Sequence, residues 1–225
     1  SHNLNPPVAK MQGMLSLLHQ YSRSHDLRRS VSLALELLSQ IQLCIRSVLV
    51  TTAIDEGQVN SEAMSLKAIA KEFQQTMQSV LAKLGYRIEV SIYSESDDHI
   101  DIPVKFNRRA LVSTIGLMVT FIKRKKDPID VEVTLSLTDT KRKDEHWLNC
   151  SISCLESSPP SEVISTLLGL SQQSQSLPLL EYLGVHLVHA VQKHYNGHWK
   201  ISVPMLNGDP ERELKEITLS LKPQV

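Results

Sequence analysis

Leu4, Val8, Met11, Leu15 and Leu18 alternate steps of four and three, the seam of a helix over residues 4–21. The polar run Ser22–Asp26 interrupts that seam and offers Ser24 or Asp26 as the cap of a second helix. In that helix the seam repeats through Val31, Ala34, Leu38, Ile41, Ile45 and Val48, while Leu33, Leu37 and Cys44 widen its apolar stripe. Two seamed helices on a short turn predict a hairpin. A stripe this wide exceeds what one partner helix covers, so it predicts pairing with a second copy into a four-helix bundle. The seam stops at Ile54–Val59, where Gly57 appears. A third helix follows over Leu66–Leu84, with Leu66, Ile69, Ala70, Phe73, Met77, Val80, Leu81 and Leu84 on one side and Gly85 as its stop.

Beyond Gly85 the period changes. Ile88, Val90 and Ile92 alternate as a strand, and residues 107–124 read as a buried helix on Leu111, Ile115, Met118 and Ile122. Further strands are expected at Val131–Leu137, Leu148–Cys154 and Trp199–Val203, and residues 214–221 close the set through Leu214, Ile217, Leu219 and Leu221. One more helix lies between these strands, after a Ser/Gln-rich stretch at 171–176 that reads as a mobile loop. The expected organisation is a hairpin over residues 1–57 and, over 58–225, an α+β sandwich with helices on one face of a mixed sheet.

Composition narrows the chemistry. Lys plus Arg and Asp plus Glu both number 24, so nothing in the charge favours a nucleic-acid or membrane-surface partner. No apolar run suggests a membrane span. Aromatics are 4% of the chain, so the core must be built from Leu, Ile, Val and Met. Cys150 and Cys154, on one expected strand, would stand more than about 10 Å apart, too far for a disulfide. With Cys44 they read as free thiols, and no Cys/His pair has the spacing of a metal site. His186, His189 and His194 read as packed or solvated, Lys123–Lys126 as a basic run suiting a helix end, and Lys141–Glu145 as a charged hairpin tip. Ser157 and Ser158 have no histidine–acid pair to activate them.

The most informative stretch is residues 181–197, Glu-Tyr-Leu-Gly-Val-His-Leu-Val-His-Ala-Val-Gln-Lys-His-Tyr-Asn-Gly. From Leu183 to Gly197 it keeps, without a gap, the register of the last motif of a histidine-kinase ATP-binding domain: Gly-x-Gly-Leu-x-Ile-Val, a helix, and an Asn-Gly turn before a strand. The first glycine of that motif is Tyr182 here, where a ring would occupy the space of a phosphate; the second is Gly184. The opening Ser1-His2-Asn3-Leu4-Asn5-Pro6-Pro7-Val8 resembles the family's phosphoacceptor box, Ser-His-Glu-Leu-Arg-Thr-Pro-Leu, and Thr52–Gly57 resembles the tail of its hairpin. Ser-His is also the remnant that a cleaved purification tag leaves.

The chain thus resembles the core of a sensor histidine kinase over nearly its whole length. The fold implied is a helical hairpin forming a dimeric four-helix bundle, followed by an α/β sandwich of the histidine-kinase ATPase type. Relatives of this design include histidine phosphotransferases with a degenerate ATP-binding domain and the kinase-like segment of the Rcs-relay phosphotransfer protein. His2 is the implied phosphoacceptor, its imidazole nitrogen attacking a phosphoryl group. Asn3 replaces the acid that would assist it, and Pro6 stands where the family places a residue used in hydrolysis. The motif Asn-x-x-x-Asn-Ala places its asparagines on Gly116 and Thr120, which lack the amide oxygen that holds a hard cation. The motif Asp-x-Gly-x-Gly falls on Ile152–Pro160, where Glu156 is the sole acid.

Neither a nucleotide cofactor nor a metal, and no autokinase activity, is therefore expected. The expected role is a bacterial two-component phosphorelay component that passes phosphoryl groups through His2 to or from a receiver domain. The alternative is a pseudokinase scaffold that dimerises and binds partner proteins without phosphotransfer. The implied partners are a second copy, a receiver docking near Asn3, Gln12 and His19, and the rest of a larger sensor. An opening at the acceptor box implies a cytoplasmic segment of a bacterial inner-membrane sensor.

Overall fold

The computed structural model describes residues 5–94, 104–122, 131–142, 145–154, 161–167, 177–202 and 215–222. Helix α1 (Asn5–Tyr21) turns at Ser22–Ser24 into α2 (His25–Asp55). Of the two candidate caps, Ser24 does the capping, its hydroxyl accepting from the Leu27 amide at 3.4 Å. The expected seam divides between two faces. Val8 and Leu15 turn toward α2, whereas Met11 and Leu18 face outward and are about half exposed. Gln12 is buried between the helices, donating through Nε2 to Gln42 Oε1 at 2.9 Å. It is therefore unavailable as part of an exposed docking surface on α1, which corrects the sequence expectation.

After Gly57, at φ 66°, comes a short strand β1 (Glu62–Met64). The expected helix from Leu66 to Leu84 forms, but in three pieces: α3 (Leu66–Phe73), a π-helical turn (Gln74–Gln78) and α4 (Ser79–Lys83). In the π turn the Thr76 hydroxyl donates to the Glu72 carbonyl at 2.7 Å, a back-bond that perturbs helical backbone. All eight residues of the expected apolar face are buried. Gly85, at φ 80°, then leads into β2 (Tyr86–Ser94).

Strand β3 (Val104–Phe106) pairs antiparallel with β1, a two-stranded unit too short to show alternation in the sequence. Asn107 caps α5 (Arg108–Thr120) by accepting from the Ala110 amide at 2.9 Å. Strands β4 (Val131–Arg142) and β5 (Glu145–Cys154) pair antiparallel, with Arg142 opposite Glu145 in the register; Lys143 and Asp144 of the expected charged tip lie outside the described residues. Helices α6 (Ser161–Leu167) and α7 (Leu179–His194) precede β6 (His198–Ser202) and β7 (Lys215–Leu221).

The main sheet runs β2-β4-β5-β7-β6, parallel at β2/β4 and antiparallel elsewhere, so it is mixed as expected. Its inner face carries aligned apolar pairs: Leu135 opposite Ile152, Leu137 opposite Cys150, and Cys150 opposite Leu219. The outer face is polar. Ser151 and Thr218 hydroxyls lie 2.9 Å apart, and Ser220 donates to Asn149 Oδ1 at 2.6 Å. Helices α3, α5 and α7 belong to the core on the inner face.

Helix α2 closes the stack from above. Leu43, with no exposed surface, and Ile54 belong to the same buried cluster as the sheet. The Ser47 hydroxyl donates to the Leu183 carbonyl of α7 at 3.0 Å. Among the described residues α2 is also the one helix long and apolar enough to cross a membrane, with an 18-residue window of mean hydropathy 1.5, which the sequence reading missed. Leu43 and Ser47 pack into the molecule, but only 22% of that window is buried, so burial within the chain accounts for part of its apolar composition.

Candidate functional site

Helix α5 carries the two positions where the sequence resemblance places asparagines, and every residue from Ala110 to Thr120 is buried. The sheet, α3, α7 and α2 surround it. Thr120 spends its hydroxyl within its own helix, donating to the Leu117 carbonyl at 2.7 Å. Gly116 faces the π turn: a Cβ built on it would overlap the Met77 methyl. Met77 is held there by burial, and its sulfur receives a contact from the Arg46 guanidinium at 3.5 Å.

Gly184, on α7, meets a ring. A Cβ at this position would lie 2.7 Å from Phe121 Cε1 and 3.5 Å from Leu117 Cβ. The glycine therefore permits close approach of α7 to α5. Phe121 directly follows Thr120, where the family motif has alanine, so a signal for it was present in the sequence. Tyr182 lies elsewhere on α7. Its ring packs edge-on against His186 one turn along, with centroids 4.3 Å apart. Of the positions singled out from sequence, the structure thus gathers Gly116, Thr120 and Gly184 around buried apolar side chains, with Tyr182 beside an exposed histidine. His2, Asn3 and Glu156 lie outside the described residues, as do Lys123–Lys126, Ser157, Ser158 and the stretch 171–176.

A cleft of about 380 Å³ opens between α2, the end of α5 and the start of α7. Thr120 and Ile122 form its floor, Leu37, Gln40 and Cys44 one wall, and Pro178–Glu181 the other. Among the described residues that line it, the ionisable groups are Glu36, Glu181, Tyr86 and the Cys44 thiol. Burial raises the Glu181 carboxyl above the usual range, opposed by a backbone hydrogen bond. Burial also raises the Cys44 thiol, with a further push from the Glu181 charge, so it stays protonated at neutral pH. The Cys150 thiol, wholly buried, is pushed up to about 12. All three thiols are free. Among the described residues no group of three His, Cys, Asp or Glu side chains is placed to share a metal ion.

The raised Glu181 carboxyl gives a pH test. A carboxyl that binds its proton more tightly when folded destabilises the fold once it ionises, and does so only above the unfolded value. Glu181→Gln is therefore expected to melt above the parent at neutral pH. The gap should close as pH falls below the ordinary carboxylate range, measured by thermal melts from pH 3 to 8.

No protein-family model matches the chain, and no curated protein matches it. Solved structures do. The histidine kinase ThkA, in complex with the response regulator protein TrrA, aligns over 99% of this chain with a TM-score of 0.52 at 10% identity, and the chain spans 59% of that one's length. Acinetobacter baumannii histidine kinase AdeS aligns over 100% of this chain and 99% of its own, with a TM-score of 0.49 at 13% identity. A histidine kinase from Burkholderia phymatum aligns over 98% and 96%, with a TM-score of 0.46 at 15% identity. The fold is that of a histidine-kinase core: a helical hairpin joined to an ATPase-type α/β sandwich.

Proposed function

We propose that this chain is a phosphorelay component of a two-component system that has given up nucleotide binding. The observation carrying the proposal is the packing at Gly116, which stands where the motif has an asparagine, and at Gly184, which keeps the motif's second glycine. Met77 closes on Gly116 and Phe121 closes on Gly184, which supports the reading that apolar packing has replaced nucleotide contacts at these positions. Electrostatics support the same reading. A triphosphate beside Thr120 would face Glu36 and Glu181, the carboxylates among the described residues that line the cleft. Neither Gly116 nor Thr120 supplies an amide oxygen for magnesium.

In this reading the chain divides functionally at residues 57 and 58, with the hairpin as the working part. His2 accepts a phosphoryl group from a receiver-domain aspartate and returns it, and the sandwich holds α2 in place. The hairpin pairs with a second copy. The whole forms the cytoplasmic segment of a larger bacterial inner-membrane sensor. ThkA, of the same fold, was solved with its response regulator, which favours a receiver as partner.

The test uses a chain extended upstream of His2, incubated with a receiver domain labelled on its aspartate. Label is expected on the parent and absent from His2→Ala. Calorimetry with ATP and magnesium is expected to give no binding heat; saturable heat would overturn the nucleotide-free reading. A second reading, a scaffold that moves no phosphoryl group, is favoured by the wide exposed apolar stripe of the hairpin. It predicts that His2→Ala signals normally.

A further inference from the structure

A second and larger cleft, about 630 Å³, lies on the other flank of α5, among the end of α2, the π turn and the start of α5. None of Gly116, Thr120, Tyr182 and Gly184 lines it. Arg109 precedes Gly116 by about two helical turns.

Two guanidinium groups converge here, Arg46 from α2 and Arg109 from α5. Their neighbour Arg108 is neutralised, its Nε 2.9 Å from Glu62 Oε1 and its Nη1 3.8 Å from Glu72 Oε2. Among the described residues Arg46 and Arg109 have no such ion pair. Arg46 makes one hydrogen bond among the described residues, to the Met77 sulfur, a weak acceptor that does little to compensate its charge. Burial and the adjacent Arg109 charge both disfavour its ionised form, with Glu72 opposing them. The Thr76 hydroxyl is spent on a backbone carbonyl. Leu49, Val50 and Val112 form an apolar wall beside the charges.

Two guanidinium groups side by side attract an anion, and of the two carboxylates lining the cleft among the described residues Glu72 is shared with Arg108 while Glu56 is exposed. Two planar forks match the oxygens of one dianion better than a single carboxylate. We propose that this cleft binds a small phosphomonoester with an apolar body, its phosphate between Arg46 and Arg109 and its body on Leu49 and Val112. The site is independent of phosphotransfer through His2. The π turn gives the cleft one wall and also positions Met77, so ligand binding would be felt at the contact between α2 and the sandwich.

The probe is phenyl phosphate, titrated by calorimetry into the full chain, with inorganic phosphate and benzoate as controls. Phenyl phosphate is expected to bind more tightly than either control. Arg46→Met and Arg109→Gln should each weaken it about tenfold, the loss of a charge-assisted contact. Thermal melts check folding. Should Arg46→Met unfold, the exposed Arg109→Gln carries the test alone. Absence of binding, benzoate binding as tightly, or undiminished affinity in a folded Arg109→Gln chain would each overturn the site.

Discussion

Replacing Phe121 by alanine is expected to cost about 3–5 kcal/mol of stability, the usual range for deleting a fully buried ring. The same change should abolish the penalty of a side chain at Gly184. In the parent, Gly184→Ala places a Cβ 2.7 Å from Phe121 Cε1, and overpacking of this kind costs about 1–3 kcal/mol. With the ring gone, Leu117 Cβ at 3.5 Å is an ordinary neighbour, and Gly184→Ala should be nearly neutral. Urea melts of the four chains give the coupling between the two positions directly. Equal costs of Gly184→Ala in both backgrounds would mean that Phe121 does not close this space.

Gly116 offers a contrast. There the obstructing atom is the end of a flexible methionine, which can swing aside where a phenyl ring cannot. The tighter static contact is therefore expected to be the cheaper to relieve. On the proposed reading, Phe121→Ala would still leave Gly116 and Thr120 without an amide oxygen for magnesium.

What could be read from the sequence follows from what periodicity encodes. A step of three and four identifies a helix with an apolar side, so α1, α2 and the sheet strands were legible within a few residues. Periodicity does not say which partner each side meets. Val8 and Leu15 turned inward while Met11 and Leu18 of the same seam turned out, because α1 lies against one helix of its own chain. Polarity misled at Gln12, which is buried because Gln42 satisfies its amide. The strands β1 and β3, of three residues each, carry too few positions to alternate. At the site, glycine at 116 and 184 was visible, and so was the loss of the asparagines. The atoms closing on those glycines come from a π turn and from the end of α5; Phe121 at the motif's alanine position hinted at one of them, but no local pattern specifies the Met77 contact. Burial of α2 against α5 and α7 was likewise invisible, since its stripe seemed wide for a different reason.

That width still exceeds what the single chain covers. After α2 has packed on the sandwich through Leu43, Ser47 and Ile54, Leu33, Leu37, Ile41 and Val48 remain about half exposed, and on α1 Met11, Met14, Leu18 and Tyr21 are half exposed or more. The second set steps by three, four and three, a helix seam left facing water. Isologous pairing of two hairpins would cover both sets at once. Leu18→Glu with Leu37→Glu is therefore expected to convert a dimer into a monomer. Each substitution acts twice across a two-fold interface. At about 1.5–3 kcal/mol per buried leucine, the four sites together remove about 6 kcal/mol or more, a loss of at least about 10⁴-fold in affinity. Both side chains lie outside the buried cluster, so the melting of each protomer should persist. Sedimentation equilibrium decides: a parent chain monomeric at all concentrations, or a variant that stays dimeric, removes the case for pairing through this face.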